Sequence, residues 1–277
     1  MSLAVAAARQ AQALQQASKS DIARGFGGAR ETYEGASRLQ RRMGHTMLRR
    51  LRACPQPEAP VRILDLGCGT GWFTRALLGL GWPGTVSGLD LSPGMVGHAR
   101  VSSPSAIHWL IADAESVPLA DGSVDLIFSN LMVQWCADPV PVLRECRRLL
   151  RPGGRMLVST LLDGTLAELK QAWQVADPGH EHVNHFETEA ELVAKTRLAL
   201  PAATIDVHTF QLPYLSPLAL AAELKHLGAG FKGGGRRLAA TAPGRVRAMC
   251  RAYPEAAGGG VTASYQAAWI DWQKPLT

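Results

Sequence analysis

Apolar positions along the chain follow two alternating periods. From residue 61 onward, short apolar runs end in glycine, aspartate or asparagine, and the stretches between them repeat apolar residues at helical spacing. Strands are predicted at 61–66, 85–89, 107–111, 124–128 and 155–161. Helices are predicted at 72–80, from the cap Ser92-Pro93 onward, and from Asp138-Pro139 to about 150. In both caps a short polar side chain precedes a proline at the first helical position. Arg151-Pro152-Gly153-Gly154 predicts a turn before the fifth strand. Such alternation implies a doubly wound parallel sheet. After 162 it weakens, with helices predicted at 165–175, 188–200 and 217–227 and strands at 203–212 and 263–272. Before the first strand, 21–52 reads as a helical stretch interrupted by Gly25, Gly27 and Gly28, and prolines 55, 57 and 60 make a stiff linker. Residues 1–20 read as a helix-prone arm, and Gly233–Gly235 and Gly258–Gly260 as mobile loops.

Composition removes several classes. The chain has 277 residues, 47% hydrophobic and 19% charged, which suits one large α/β domain and argues against disorder. No window of about 18 apolar residues exists, so no membrane span is expected, and Arg9 and Gln10 break the alanine-rich start. Lys and Arg exceed Asp and Glu by 29 to 23, a net +6 that favours acidic partners without choosing among them. No aromatic residues interleave with the basic clusters, which disfavours nucleic acid. Five cysteines, an odd number without CxxC spacing, argue against a disulfide framework or a four-ligand zinc site and suit the cytoplasm.

The candidate chemistry begins at Asp65-Leu66-Gly67-Cys68-Gly69-Thr70-Gly71, where the first strand meets the first core helix. Glycines there allow a tight turn and let a ligand lie against bare main chain. Asp90 ends the second strand, where a carboxylate can accept both hydroxyls of a ribose. A dinucleotide fingerprint would need glycine where Trp72 stands, and no Gly-Lys-Ser/Thr follows to make a P-loop. The spacing instead resembles motif I of class I S-adenosylmethionine-dependent methyltransferases. Asp113-Ala114-Glu115 after strand three, Asn130 after strand four and Arg151–Gly154 before strand five fit the same family.

The resemblance narrows in four further segments. They are Phe26 and Tyr33 in a stretch ending at Leu39-Gln40, Ser129-Asn130-Leu131 running into Val133-Gln134-Trp135, His182-Val183-Asn184-His185-Phe186, and Leu224 to Ala229. Together they resemble the malonyl-[acyl-carrier protein] O-methyltransferases of biotin synthesis over roughly 21–229. His185 stands where that family often has arginine, and the C-terminal stretch around Gly258–Gly260 departs from it.

The resemblance implies a Rossmann-like doubly wound sheet with N-terminal helices and a helical lid insertion after strand five. The expected organisation is an arm at 1–20 and one methyltransferase domain at 21–277. Within the domain, 21–60 forms a cap, 61–162 the cofactor core, 163–202 and 214–250 the lid and substrate region, and 203–212 and 263–272 the closing strands. The implied cofactor is S-adenosyl-L-methionine. Gly67, Gly69 and Gly71 would pass its methionine end, and Asp65 would pair with its ammonium. Asp90, beside Leu91, would hold the ribose, Asp113 and Ala114 would flank the adenine, and Asn130 would face the methyl donor.

Tyr33 would close over the methionyl group. His182 and Asn184 would orient the malonyl carboxylate against a wall made by Trp135. A malonyl acyl-carrier protein is the implied partner. The cluster Lys225, Lys232, Arg236 and Arg237 is the expected docking patch, and Arg144, Arg147, Arg148 and Arg151 form a solvated helix face. The alternative is a small-molecule methyltransferase acting on a phenol or amine, which would need a general base at His182, His185 or His98.

Overall fold

The computed structural model describes residues 19–230 and 241–276. Most of the expected arm, the cluster Gly233–Gly235, and Lys232, Arg236 and Arg237 lie outside the described residues. Three helices lead in: α1 (Lys19–Ala29), α2 (Tyr33–Ala36) and α3 (Arg38–Arg52). The core then alternates β1 (Val61–Leu66), α4 (Trp72–Leu78), β2 (Gly84–Asp90), α5 (Pro93–Val101), β3 (Ile107–Ile111), β4 (Val124–Asn130), a 3-10 turn (Val133–Trp135), α6 (Pro139–Leu149) and β5 (Leu150–Leu161). It finishes with α7 (Ala167–Ala176), α8 (Glu189–Ala199), β6 (Thr204–Tyr214), α9 (Pro217–His226), α10 (Pro243–Ala252) and β7 (Val261–Gln273).

These strands form one sheet in the order β3-β2-β1-β4-β5-β7-β6. The first five run parallel, and β7 lies antiparallel between β5 and β6. Central strands are apolar on both sides because helices cover both sheet faces. Ile63, Leu126 and Phe128 pack with Met43 and Met47 of α3 and Phe73 and Leu77 of α4. Leu64 and Ile127 face the opposite way, onto Val142, Leu143 and Cys146 of α6. From β1 the chain winds out through β2 to β3, then crosses back to β4 on the other side of β1. The carboxyl ends of β1 and β4 therefore part at a topological switch point, where open α/β sheets bind their ligands.

Cap chemistry sets the helix starts. Ser92 Oγ accepts from Met95 N–H at 3.4 Å, and Asp138 Oδ1 accepts from Val140 N–H at 3.1 Å. Arg148 on α6 pairs with Glu145 and Asp121, whereas Arg151 falls in β5 rather than on the expected helix face and pairs with Asp125, so both arginines tie down neighbouring segments.

Three expectations are corrected. Arg151–Gly154 lies within β5 rather than in a turn before it, because Gly153 N–H donates to Lys274 O (2.9 Å) and Lys274 N–H to Gly154 O (2.8 Å). Gly258–Gly260 closes a bonded turn, with Gly259 N–H donating to Ala256 O and Ala256 N–H to Gly260 O, each at 3.0 Å.

The third correction concerns Gly25, Gly27 and Gly28, which sit inside α1; the breaks fall at 30–32 and at Ser37. A β-carbon on Gly27 would lie 2.8 Å from Ser92 Oγ, and one on Gly94 would lie 3.1 Å from Gly27 Cα. Glycine at both positions thus lets α1 and α5 cross backbone to backbone. In an exposed helix Gly→Ala stabilises by about 0.5–1 kcal/mol. That gain is expected for Gly28→Ala, where nothing lies within 4 Å. Gly27→Ala is expected to destabilise by about 1–2 kcal/mol through overpacking, and urea unfolding midpoints of the two variants give the signs.

Candidate active site

The loop leaving β1 turns on glycine. Gly67 and Gly71 both have φ of 77°, and β-carbons there would meet Met132 at 2.4 Å and Trp109 at 2.5 Å. Neither position tolerates a side chain, so the main chain stays bare at the sheet edge. Asp90, at the tip of β2, secures the loop from the side. Its Oδ2 accepts from Gly69 N–H (2.9 Å) and its Oδ1 from Ser92 N–H (2.8 Å). Burial raises the Asp90 pKa, and the backbone donors of Ser92, Gly69 and Leu91 offset part of that rise.

Two cavities flank this loop and share Tyr33, Gly67, Gly69 and Asn130. The first runs over Asp90, Leu91, Asp113 and Ala114 and is roofed by Lys19, Ile22 and Phe26 of α1. Those three residues are spaced for one face of a helix. The second runs inward past Gly69 to Asp65 and Thr70. Asp65 is 2% exposed, and its Oδ2 accepts from Thr74 Oγ1 at 2.6 Å. Burial raises its pKa to about 7, against the lowering effect of the Thr74 hydroxyl. Thr70 Oγ1 is buried and has no hydrogen-bond partner among the described residues. Tyr33 spans both cavities, and burial, with Asp90 and Asp65 adding, raises its phenol pKa so that it stays protonated.

Every residue expected to hold the cofactor, except Gly71, lines one of these cavities. Gly71 lies one step below, as the left-handed cap of α4. Asn130 is held on both sides: its Nδ2 donates to Gln40 O (3.0 Å) and its Oδ1 accepts from Ser159 Oγ (2.7 Å). Lys19 is a feature the sequence reading missed. Its ammonium lies 2.6 Å from Asp113 Oδ2 and 2.8 Å from Glu115 Oε2. Burial raises the Asp113 pKa, but the Glu115 N–H and Lys19 outweigh it, and the net shift is downward.

A methyltransferase-domain family profile matches residues 64–158, the span from motif I to β5. The chain is 42% identical to a malonyl-[acyl-carrier protein] O-methyltransferase of Methylococcus capsulatus over 74% of each chain. It is 38% identical to one of Serratia marcescens, covering 85% of this chain and 89% of that one. The chain belongs to the malonyl-[acyl-carrier protein] O-methyltransferase family. It is a class I S-adenosylmethionine-dependent methyltransferase.

It is also 39% identical to the biotin biosynthesis bifunctional protein BioHC of Cellvibrio japonicus, of which it spans 50%. Among solved structures, YcgJ of Bacillus subtilis (TM-score 0.58, 20% identity, 84% of this chain and 98% of that one) shares the fold. So does an S-adenosylmethionine-dependent methyltransferase of Thermotoga maritima (TM-score 0.52, 18% identity, 91% and 99%). Both likenesses concern architecture alone.

A cavity of about 580 Å³ adjoins the cofactor cleft and shares Phe26, Tyr33, Leu131 and Trp135 with it. That volume falls in the ordinary small-molecule range. Phe26 packs edge-on against Trp135 at 5.0 Å between ring centres, making an aromatic partition. His182 and Asn184 both line the far wall, together with Trp173 and Lys225.

The His182 ring stacks on Trp173 at 3.9 Å, and its Nε2 lies 3.0 Å from Asp177 Oδ2. Asp177, 3% exposed, also meets Arg245 of α10 at 3.1 Å and His180 at 3.3 Å. This hub fixes the imidazole plane, and neither Asp177 nor α10 was legible in the sequence. His185 is exposed and pairs with Glu181 at 2.8 Å. Neither His185 nor His98 lines the chamber or the two cofactor cavities. Among the described residues, no helix is long and apolar enough to cross a membrane.

Proposed function

We propose that this protein methyl-esterifies the free carboxylate of a malonyl thioester carried on an acyl-carrier protein, an early step of the pimeloyl branch of biotin synthesis. Family membership supports the substrate class. The observation that carries the chemistry is the apolar partition between chamber and cofactor cleft, made by Phe26, Leu131 and Trp135 with the protonated Tyr33 beside them.

The residues at the cleft fit S-adenosylmethionine. Thr70 Oγ1 is a buried polar atom lacking a partner among the described residues where the methionine end would lie. Asp65 offers an anion toward the ammonium, Asp90 carboxylate oxygens toward the ribose, and Asp113 an acceptor toward the adenine. When bound, the cofactor supplies an electrophilic methyl group on a positively charged sulfur.

A malonyl carboxylate is ionised at neutral pH, since carboxyl groups titrate near 4, so it needs no base. What the protein must do is align the nucleophile in line with the transferring bond and exclude water. Nucleophile and sulfonium carry opposite charges that cancel as transfer proceeds. Water stabilises the separated charges more than the transition state, and the aromatic partition keeps it out. His182 and Asn184 would orient the acyl end from the far wall, with His182 held by Trp173 and Asp177.

Incubation with isotopically labelled cofactor and a panel of acceptors tests this reading. Mass spectrometry is expected to show the methyl ester of malonyl-carrier protein, with free malonate a far poorer acceptor. Absence of turnover on the thioester at saturating cofactor would remove it.

A further inference from the structure

Gln40 occupies a position that the cofactor and chamber residues already described do not explain. It lies in the first turn of α3, and among the described residues only it and Tyr33 line both the acceptor chamber and the cleft beside Asp65. A transferring methyl group must pass where acceptor and donor spaces meet. The Gln40 backbone is fixed there, because its carbonyl accepts from Asn130 Nδ2 at 3.0 Å and Asn130 is itself held by Ser159 at the ends of β4 and β5.

Its carboxamide oxygen, by contrast, is unpaired: Oε1 is buried and has no hydrogen-bond partner among the described residues. A buried polar atom without a partner is costly, so it calls for a bound group or a water to satisfy it. The two ends of a carboxamide exchange by rotation, so the group can turn its N–H bonds to whichever side offers an acceptor.

The neighbouring cation, Arg41, lines the cleft beside Asp65 but not the acceptor chamber. Arg41 lies over the Trp72 ring at 4.1 Å and donates to Glu34 O at 2.6 Å. The arrangement suits the reaction. A guanidinium on the substrate carboxylate would withdraw charge from the nucleophile and repel the sulfonium. A neutral amide holds one carboxylate oxygen without either penalty.

We infer that the Gln40 carboxamide is a carboxylate-positioning group, donating N–H to one oxygen of the acceptor so that the other faces the methyl group. This rests on the carboxyl methyl transfer proposed above.

Gln40→Met keeps length and volume and removes both N–H donors; Gln40→Glu keeps the shape and places a like charge against the acceptor. With malonyl-carrier protein as acceptor, Gln40→Met is expected to lose about 30-fold in kcat/KM, the worth of one hydrogen bond to a charged group. Gln40→Glu is expected to lose more than Gln40→Met. Affinity for S-adenosylmethionine, read by calorimetry, should stay within about twofold for both, because the interaction is made to the acceptor.

Either variant keeping more than a third of wild-type kcat/KM overturns the inference. So does a loss of cofactor affinity in step with activity, which would make Gln40 a structural support of the cleft. Failure of the wild-type enzyme itself to methylate the thioester counts against the proposed function instead.

Discussion

Asp90→Ala is expected to weaken S-adenosylmethionine binding by about 1,000-fold, the largest effect of any substitution in the cleft. Two hydrogen bonds from ribose hydroxyls to a carboxylate are worth about 1.5–3 kcal/mol each, which brackets that loss. The same carboxylate accepts the Gly69 and Ser92 N–H groups, so alanine also releases the glycine loop from the tip of β2. Asp90→Asn separates the two contributions. It keeps the volume but sets an NH2 group against one of the two backbone donors, and an intermediate loss is expected. Calorimetric titration of folded protein, checked by its unfolding midpoint, reads both variants. Unchanged binding in Asp90→Ala would contradict the assignment of this cleft to a nucleoside.

That Asp90 could be picked out from the chain follows from how local its signal is. A strand that ends in aspartate ahead of Ser92-Pro93 writes its own turn and cap in consecutive residues. The glycine loop is equally local, since positive φ and close approach both demand glycine at fixed spacing. Features that depend on distant segments were not legible. Arg151–Gly154 carries every mark of a turn and becomes strand because Lys274 pairs with it from 120 residues away. Gly27 has the composition of a helix breaker, and its real task depends on Gly94 in another helix. Lys19 over Asp113, Asp177 between His182 and Arg245, and Gln40 at the junction of two cavities are likewise products of tertiary packing. The proposed cofactor half is built from strand tips, and the residues picked out in the sequence, apart from Gly71, line its two cavities. The acceptor half is assembled from α1, α3, α7, α9 and the segment around His182; Trp135, the H-x-N motif and the segment from Leu224 to Ala229 stood out in the chain, but their convergence on one chamber did not.

Asp65→Asn is expected to weaken cofactor binding by about 100-fold at pH 7.5, through loss of the buried charge facing the methionyl ammonium. The pH dependence distinguishes this role from a packing defect. Burial raises the Asp65 pKa to about 7, above the ordinary value near 3.9. A raised carboxyl pKa favours the protonated form in the folded protein. Without cofactor, its contribution to stability is therefore full below pH about 4 and is lost as pH rises through about 7. Asp65→Asn should accordingly raise the unfolding midpoint of the free protein at pH 8, while Thr74 Oγ1 keeps an acceptor.

A bound ammonium reverses the preference, since it favours the ionised carboxylate. Binding below pH about 7 then releases a proton, and affinity is expected to rise by up to about tenfold per pH unit toward 7. The gain levels off near pH 7, and affinity falls again as the α-amino group of the cofactor, with a pKa of about 7.7–8.0, loses its proton. Titrations from pH 5.5 to 8 should show this rise in the wild type and a flat profile below 7 in Asp65→Asn. An equal slope in both proteins would place the titrating group elsewhere and remove Asp65 as the ammonium's partner.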